Sequence, residues 1–283
     1  MKFRNPQVPD DINVSRHNPF LDLILMAGGM IVGFVILAAF LIWLGGTLAR
    51  HLPVTWEHRL ADLFVGEFST PDHPQITAEL QALADRLAAH MELEPDARVV
   101  VHYLDSDQVN AFATLGGHVF ILRGLIERMP NENALAMVMA HEIGHVANRD
   151  PAAQVGGVLL LRAVMALLFA GGADNVSEIL TSPEALLARG FSREAEETAD
   201  EHALAAVAAH YGHVAGAASL FELLAESRGG GSESDLVEFF QTHPLERNRI
   251  AAIAERADDE GWARDGPLTP LSPALQALRD GAL

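Results

Sequence analysis

The sequence predicts a mainly helical α+β protein with a small β-sheet, preceded by one transmembrane helix. Residues 23–48 are uncharged over a length that crosses a bilayer with some tilt. Helical patterns follow at 76–91, 131–150, 193–210, 214–227 and 244–256. Two strand patterns lie between the first two of these helices. One is a β-branched run within 98–104, and the other is a hairpin over 110–122 that turns at Gly116 and Gly117.

Composition excludes several classes of protein. A formal net charge of −19 argues against nucleic-acid binding, which needs a basic face, and against electrostatic adhesion to anionic lipid headgroups. The chain has no cysteine, so any metal site must use histidine and carboxylate ligands. A length of 283 residues accommodates one domain of ordinary size with appendages.

The N-terminal quarter of the chain predicts a membrane anchor. We expect a polar tail over 1–19, a transmembrane signal anchor over 20–48 and a linker over 49–74. The apolar run is longer than the core of a cleaved signal peptide and lacks a clean small-x-small site before a polar start. The anchor is therefore expected to stay uncleaved and to hold the protein in the bilayer.

The charges flanking this anchor favour one orientation. Lys2, Arg4 and Arg16 precede it, whereas Arg50 and Arg59 follow it. The positive-inside rule therefore favours a cytoplasmic N-terminus with the remaining chain exported. We expect a single-pass protein of the bacterial inner membrane whose folded domain lies on the periplasmic side.

The stretch from Asn131 to Asp150 predicts one buried helix. Asn131 is a favourable N-cap, and residues 134–140 are apolar on every face, as in a helix without a solvent side. The Asp150-Pro151 pair is expected to end the helix, because proline cannot continue the backbone hydrogen bonds.

Three polar residues, His141, Glu142 and His145, lie in this apolar helix. The histidines are four residues apart, so their rings project from one face and can share a tetrahedral zinc ion, with Glu142 as a general base for water. The alternative is two unrelated histidines on a helix surface. It is disfavoured because a carboxylate in an apolar setting costs free energy unless it has a task.

A third metal ligand is expected from the helix that follows Ser192. Glu196 and Asp200 are four residues apart and share a face of this helix. In one interpretation Glu196 binds the metal and Asp200 accepts the outer N–H of a ligand histidine. In the other, which composition alone favours, the acidic residues form a solvated surface.

Four motifs extend this pattern along the chain: NAFATLGGHVFIL (110–122), HEIGH (141–145), SREAEETAD (192–200) and THPLERNRI (242–250). Over residues 75–250 the sequence resembles the M48 zinc metallopeptidases, the family of the CAAX prenyl proteases and HtpX. The resemblance implies a gluzincin-type domain over 75–258, a C-terminal tail over 259–283, one zinc ion per chain and Glu196 as the third ligand. The single predicted span departs from the multi-span members, which disfavours prenyl-protein processing.

Further site residues are expected around this centre. His243 is expected to stabilise the oxyanion or to occupy the open metal position, with a helix-capping role as the alternative. Arg249 either orients a carboxylate in the site or lies on a surface helix. His118 is expected to face outward from its strand. An extended substrate is expected to add as a further strand beside Gly117, His118, Val119 and Phe120.

A second apolar run, Val155–Ala173, allows two interpretations. It is long enough to be considered as another membrane span, but Arg162 in its middle argues against that. The metal ligands before and after the run must also lie on one side of the membrane, so a single further crossing is excluded. We therefore expect a buried core helix or a helix resting at the membrane surface.

The function expected from these features is that of a membrane-anchored zinc endopeptidase in membrane or envelope protein quality control or processing. Its expected partners are misfolded or membrane-associated polypeptides and the lipid bilayer, and the oligomeric state is left open. One alternative is a non-catalytic, zinc-stabilised, chaperone-like binding module. Another is a metal-dependent hydrolase of substrates other than peptides.

Overall fold

The computed structural model describes residues 19–64, 73–169, 190–219, 222 and 249–281. Before the sheet the chain forms α1 (Pro19–Arg50), α2 (Val54–Phe64) and α3 (Pro74–Ala88). The sheet consists of β1 (Val100–Leu104), β2 (Ala111–Thr114) and β3 (His118–Leu122). The later helices are α4 (Arg123–Arg128), α5 (Glu132–Ala147), α6 (Asp150–Phe169), α7 (Arg193–Tyr211), α8 (Arg249–Glu260) and α9 (Pro273–Arg279). The predicted fold class, mainly helical with a small sheet, is confirmed.

The sheet has the strand order β1-β3-β2. The predicted hairpin is confirmed: β2 and β3 are antiparallel and are joined by a 3-10 turn in which Gly116 and Gly117 have positive φ angles of 74° and 77°. β1 pairs in parallel with the other side of β3. The hairpin is encoded by its glycines, but the central position of β3 depends on a parallel pairing that no local pattern encodes.

The main core lies between one face of the sheet and helices α3, α5 and α7. Val101, Tyr103, Val119 and Ile121 alternate along β1 and β3 and point into it. The predicted stripe of α3 is buried at Ile76, Leu80, Leu83 and Leu87. This core surrounds α5 on all sides, which explains why residues 133–145 of that helix are all buried.

The regions predicted as a linker and as a C-terminal tail contain ordered structure. The linker region 49–74 contains α2, which packs on the hairpin turn through Ala61 and Leu115. In the tail region 259–283, Leu275 and Leu278 of α9 are buried in the main core. Both segments therefore contribute to the folded domain. The described start of the predicted helix 214–227 forms a turn over 215–218, and residues 220–221 and 223–227 lie outside the described residues, as does the start, 244–248, of the predicted helix 244–256.

Helix α1 is, among the described residues, the one helix long and apolar enough to cross a membrane. Its side chains from Phe20 to Phe40 are largely exposed in the protein, as a lipid-facing surface would be. From Leu41 to Arg50 it packs against another helix, and Leu41 and Ala49 are buried. The predicted apolar N-terminal segment is therefore confirmed as a single continuous helix, and its crossing of a membrane stays a prediction.

The partner of this terminal part of α1 is α6, which runs antiparallel to it. Arg50 contacts Asp150 at one end, and Ile42 meets Gly157 further along. The backbones approach so closely that a Cβ on Gly45 would lie 2.5 Å from the carbonyl oxygen of Gly156. Of the two expected placements of 155–173, the buried core helix is not found over the described side chains 155–166, because small residues bring α6 onto α1 instead of into the main core. Its placement relative to the membrane stays a prediction.

Candidate metal centre

Helix α5 carries the predicted metal-binding motif in the middle of the core. The side chain of Asn131 caps its start, accepting a hydrogen bond of 2.9 Å from the backbone N–H of Ala134. His141, Glu142 and His145 are 3%, 0% and 0% exposed. A buried helix with two imidazoles and a carboxylate on successive turns is stable only where those groups find partners.

The end of α5 differs from the prediction. The helix stops at Ala147, and Arg149 has the left-handed φ angle of 58° that breaks the helical path. Pro151 lies in the first turn of α6, where the missing N–H has no helical partner to lose. Because of this break, the side chains of Arg149 and Asp150 point in different directions. The left-handed conformation of Arg149 costs roughly 1 kcal/mol for a residue other than glycine, so the contacts around Arg149 must stabilise it.

Glu196 comes to the two histidines from α7. Ser192 caps this helix by accepting a hydrogen bond from the N–H of Ala195, as the sequence predicts. Gly144 lies against α7, and a Cβ at that position would meet the Cα of Ala199 at 3.0 Å. The glycine of the HEIGH motif therefore lets the two helices approach closely enough to bring Glu196 to the histidines.

The three groups face one another at distances that suit a shared cation. The Nε2 atoms of His141 and His145 are 3.1 Å apart, and the Glu196 carboxylate oxygens lie 3.4 Å and 3.5 Å from them. Ligand atoms about 2.0–2.1 Å from one tetrahedral ion lie roughly 3.3 Å from each other. All three side chains are buried, and Glu196 is 5% exposed. The donor set is two imidazoles and one carboxylate.

The outer nitrogens of both rings are hydrogen-bonded to carboxylates. His141 Nδ1 donates to Asp200 and His145 Nδ1 donates to Asp150, each at 2.9 Å. With the proton on Nδ1, each ring presents the lone pair of Nε2 to the other ring and to Glu196. Three electron pairs converging on one buried point require a positive charge between them, so the residues present fit a bound metal ion.

The electrostatics of His145 also favour positive charge at this point. Burial works to lower its pKa, but hydrogen bonds to Asp150 and Glu196 and the nearby charge of Glu142 outweigh burial and raise the pKa. The same carboxylates that favour a proton on this ring favour a cation beside it.

Glu142 lies next to the first ligand histidine and is fully buried. Its position one residue after His141 places it on a neighbouring face of α5, close enough for its charge to act on His145. A buried carboxylate beside a cation site is suited to exchange a proton with water held there.

The remaining predictions about the site concern His243, Arg249 and the strand expected to bind substrate. His243 lies outside the described residues. Arg249 is the first residue of α8, and its side chain is also outside the description. The expected substrate strand is wrong, because β3 is the central strand and pairs with β1 and β2 on its two sides, which leaves no room for another strand. The strand residues concerned are Gly117, His118, Val119 and Phe120.

His118 is buried instead of facing outward. It is 5% exposed, and its Nδ1 lies 2.8 Å from Nε2 of His102 on the neighbouring strand. Burial, the neighbouring His102 and Arg98 together lower the pKa of His118 to about 4. The ring therefore stays neutral and serves the packing of the sheet, stacked with His102.

Two residues that contact His145, Asp150 and Phe191, were not predicted from the sequence as residues of the site. Asp150 is 3% exposed and accepts a second hydrogen bond, 2.8 Å long, from Arg50 at the end of α1. The ring of Phe191 stacks on His145 with a centroid separation of 4.0 Å. The sequence predicts for Asp150 only a place at the end of the helix. The turn that aims it at His145 depends on the left-handed Arg149, which no local pattern predicts.

A polar cavity of about 300 Å³ lies beside Asp150, on the side of the metal centre where His145 lies. Its lining includes Arg50, Asp150, Ser192, Glu194 and Thr198. Asp150 lines the cavity, and its Oδ2 faces His145.

The sequence model of Peptidase family M48 matches residues 74–257 of this chain. The chain belongs to peptidase family M48. The resemblance found from the four motifs is therefore confirmed. The match begins at α3 and ends within α8, so it includes both ligand histidines and Glu196.

Individual relatives of this chain are named as proteases or metalloendopeptidases. The beta-barrel assembly-enhancing protease of Escherichia coli (strain K12) is 27% identical over 234 residues, covering 76% of this chain and 46% of the relative. The protease HtpX homolog of Salinibacter ruber is 31% identical over 211 residues, covering 63% and 74%. The mitochondrial metalloendopeptidase OMA1 of Schizosaccharomyces pombe is 27% identical over 195 residues, covering 67% and 56%. This chain thus spans about half the length of the first of these relatives.

Proposed function

We propose that this M48 protein is a zinc-dependent endopeptidase anchored in a membrane by α1. The observation that carries the proposal is the buried convergence of His141, His145 and Glu196, with Glu142 beside them. Two imidazoles and one carboxylate, with no fourth protein ligand within the described part of the chain, form the ligand set of a catalytic zinc site. A structural site would close the fourth position and would have no use for a base.

The residues of the chain divide the reaction between them. When bound, zinc supplies a Lewis acid that polarises a peptide carbonyl and makes water in the open position more acidic. Glu142 takes the proton from the attacking water and then delivers it to the leaving amine. Asp200 and Asp150 hold the two imidazoles in the tautomer that presents Nε2 to the centre. His243 and Arg249 remain candidates for stabilising the oxyanion and for orienting the substrate.

The substrate strand is reassigned from β3 to β2. Among the described strands, β2 lies at an edge of the sheet, and Ala111 and Ala113 point from it into the core that surrounds α5. An extended polypeptide paired with this edge would be held by backbone hydrogen bonds, which select for an unfolded conformation and not for a sequence. This mode suits an enzyme that acts on misfolded chains.

The setting proposed for this activity is the quality control or processing of membrane and envelope proteins. The apolar helix α1 and relatives named as a beta-barrel assembly-enhancing protease and as a mitochondrial metalloendopeptidase support it. The charge flanks of α1 favour a catalytic domain on the periplasmic side of a bacterial inner membrane.

The decisive test uses full-length protein in detergent micelles or proteoliposomes, with labelled unfolded casein as substrate. We expect Glu142→Gln to lower the cleavage rate by at least about 100-fold, because the general base is lost, while zinc content is unchanged. Glu197→Gln is the matched control, since Glu197 is exposed on α7, and it should cleave like the wild type. Bound zinc without cleavage by the wild type would instead favour the non-catalytic binding module.

A further inference from the structure

Helix α1 ends at a residue that contacts the hydrogen-bonding partner of a metal ligand. Nη2 of Arg50, the last residue of α1, donates a hydrogen bond of 2.8 Å to Oδ1 of Asp150. The other oxygen of the same carboxylate, Oδ2, accepts the N–H of His145 Nδ1 at 2.9 Å. Two hydrogen bonds therefore connect the end of α1 to His145, and the first of them joins residues 100 positions apart in the sequence.

The burial of Asp150 makes this contact more than a surface ion pair. The side chain of Asp150 is 3% exposed, whereas that of Arg50 is 50% exposed. Exposed ion pairs contribute little to stability, but a buried carboxylate depends on each of its donors. Arg50 lies on the side of Asp150 that borders the polar cavity and supplies the second donor there.

The backbone of Arg50 is fixed by a second interaction from the same turn. Nη1 of Arg149 donates a hydrogen bond of 2.7 Å to the carbonyl oxygen of Arg50, and its Nε donates to Glu57 of α2, also at 2.7 Å. Arg149 is itself 7% exposed and adopts the left-handed conformation described above. This turn therefore directs Asp150 to His145 and Arg149 to the end of α1.

We propose that Arg50 is a positioning residue of the metal centre, which orients Asp150 so that His145 presents Nε2 to the metal. The inference rests on the proposed zinc-dependent function. It makes the end of the membrane anchor part of the support of the metal site. Removing Arg50 leaves room for water from the cavity to donate to Asp150 in its place, so the protein should fold while His145 is held less firmly.

The test measures the zinc dissociation constant of the full-length protein in detergent micelles, by competition with a chromophoric chelator. We expect Arg50→Gln to weaken zinc binding by about 3- to 10-fold, less than the loss of a direct partner of a ligand histidine. Arg50→Lys, which keeps a donor and a charge, should recover most of the affinity. Arg59→Gln, the same change at an exposed position of α2, should bind zinc like the wild type.

A thermodynamic cycle separates positioning from a general structural role. In an Asp150→Asn background, Arg50→Gln should have no further effect on the zinc dissociation constant, because the residue through which it acts is already changed. An equal effect in both backgrounds would overturn the inference, as would a zinc affinity of Arg50→Gln equal to that of the wild type. If Arg50→Gln does not fold, Arg50→Met, which also removes the charge and the donor, is measured alone and together with Asp150→Asn and decides the question in the same way. A wild type that binds no zinc would contradict both the proposed function and this inference.

Discussion

The two ligand histidines are held by different kinds of support. His141 is hydrogen-bonded to Asp200, which is 17% exposed and lies on α7 one turn after the ligand Glu196. His145 is hydrogen-bonded to Asp150, which is 3% exposed and accepts a further hydrogen bond from Arg50 at the end of α1. The first support belongs to the helix that already brings a ligand. The second joins the centre to the end of α1, so the support of the proposed metal site comes from both the domain and the apolar N-terminal helix.

The comparison predicts unequal effects when each carboxylate is replaced. Asp150→Asn should weaken zinc binding by about 100-fold and Asp200→Asn by about 10-fold, since water can replace a partly exposed acceptor more easily than a buried one. Asp150→Asn should also lower the melting temperature of the metal-free protein by a few degrees, because it weakens a buried pair. Chelator competition and thermal unfolding in detergent measure the two quantities.

Equal losses of zinc affinity in the two variants would contradict the claim that the two histidines are supported differently. A larger loss in Asp200→Asn would show that the contact of His141 with Asp200 is the more important one. Glu201→Gln, at an exposed position on α7 directly after Asp200, is the control for a change of charge near the site. It should bind zinc within a factor of about two of the wild type.

The contact of His141 with Asp200 could be predicted from the sequence, whereas the contacts of Asp150 with His145 and Arg50 could not. Spacings of four residues place His141 with His145 and Glu196 with Asp200 on shared helix faces, and the structure brings these four side chains together. Asp150 and Arg50 meet only because the chain turns at a left-handed arginine and α6 folds back onto α1. Contacts between residues 100 positions apart leave no periodic signal.

The strand order illustrates the same limit. The glycine turn and the alternating apolar residues predict the β2–β3 hairpin, which is a local feature. The parallel pairing of β1 with β3 joins segments separated by other structure, and it places the expected substrate strand in the middle of the sheet. The core positions of Leu275 and Leu278 in α9 likewise depend on the complete fold.

A smaller effect is expected far from the metal, at the buried imidazole of the sheet. The pKa of His118 is lowered to about 4, so the folded protein binds a proton there more weakly than the unfolded chain, whose histidine has a pKa near 6.5. Stability from this group is present above about pH 6.5 and is lost as the pH falls toward 4. We expect wild-type protein to lose on the order of 2 kcal/mol more than His118→Gln between pH 7 and pH 5.

This comparison is made with metal-free protein, so that release of the metal at low pH does not contribute. Thermal unfolding at several pH values gives the difference between the two proteins, and other titrating groups cancel in it. Parallel pH profiles for wild type and His118→Gln would show that the imidazole is not shielded from protons in the folded sheet.

The most direct test of the account measures zinc per chain in purified full-length protein, for wild type, Glu196→Gln and the exposed control Glu197→Gln. We predict about one zinc ion per chain in the wild type and in the control, and none in Glu196→Gln after dialysis against a weak chelator. Cleavage of unfolded protein should follow zinc content and return to the chelated wild type with one equivalent of zinc. Full zinc content in Glu196→Gln, or undiminished cleavage by metal-free wild type, would contradict the three-ligand catalytic centre.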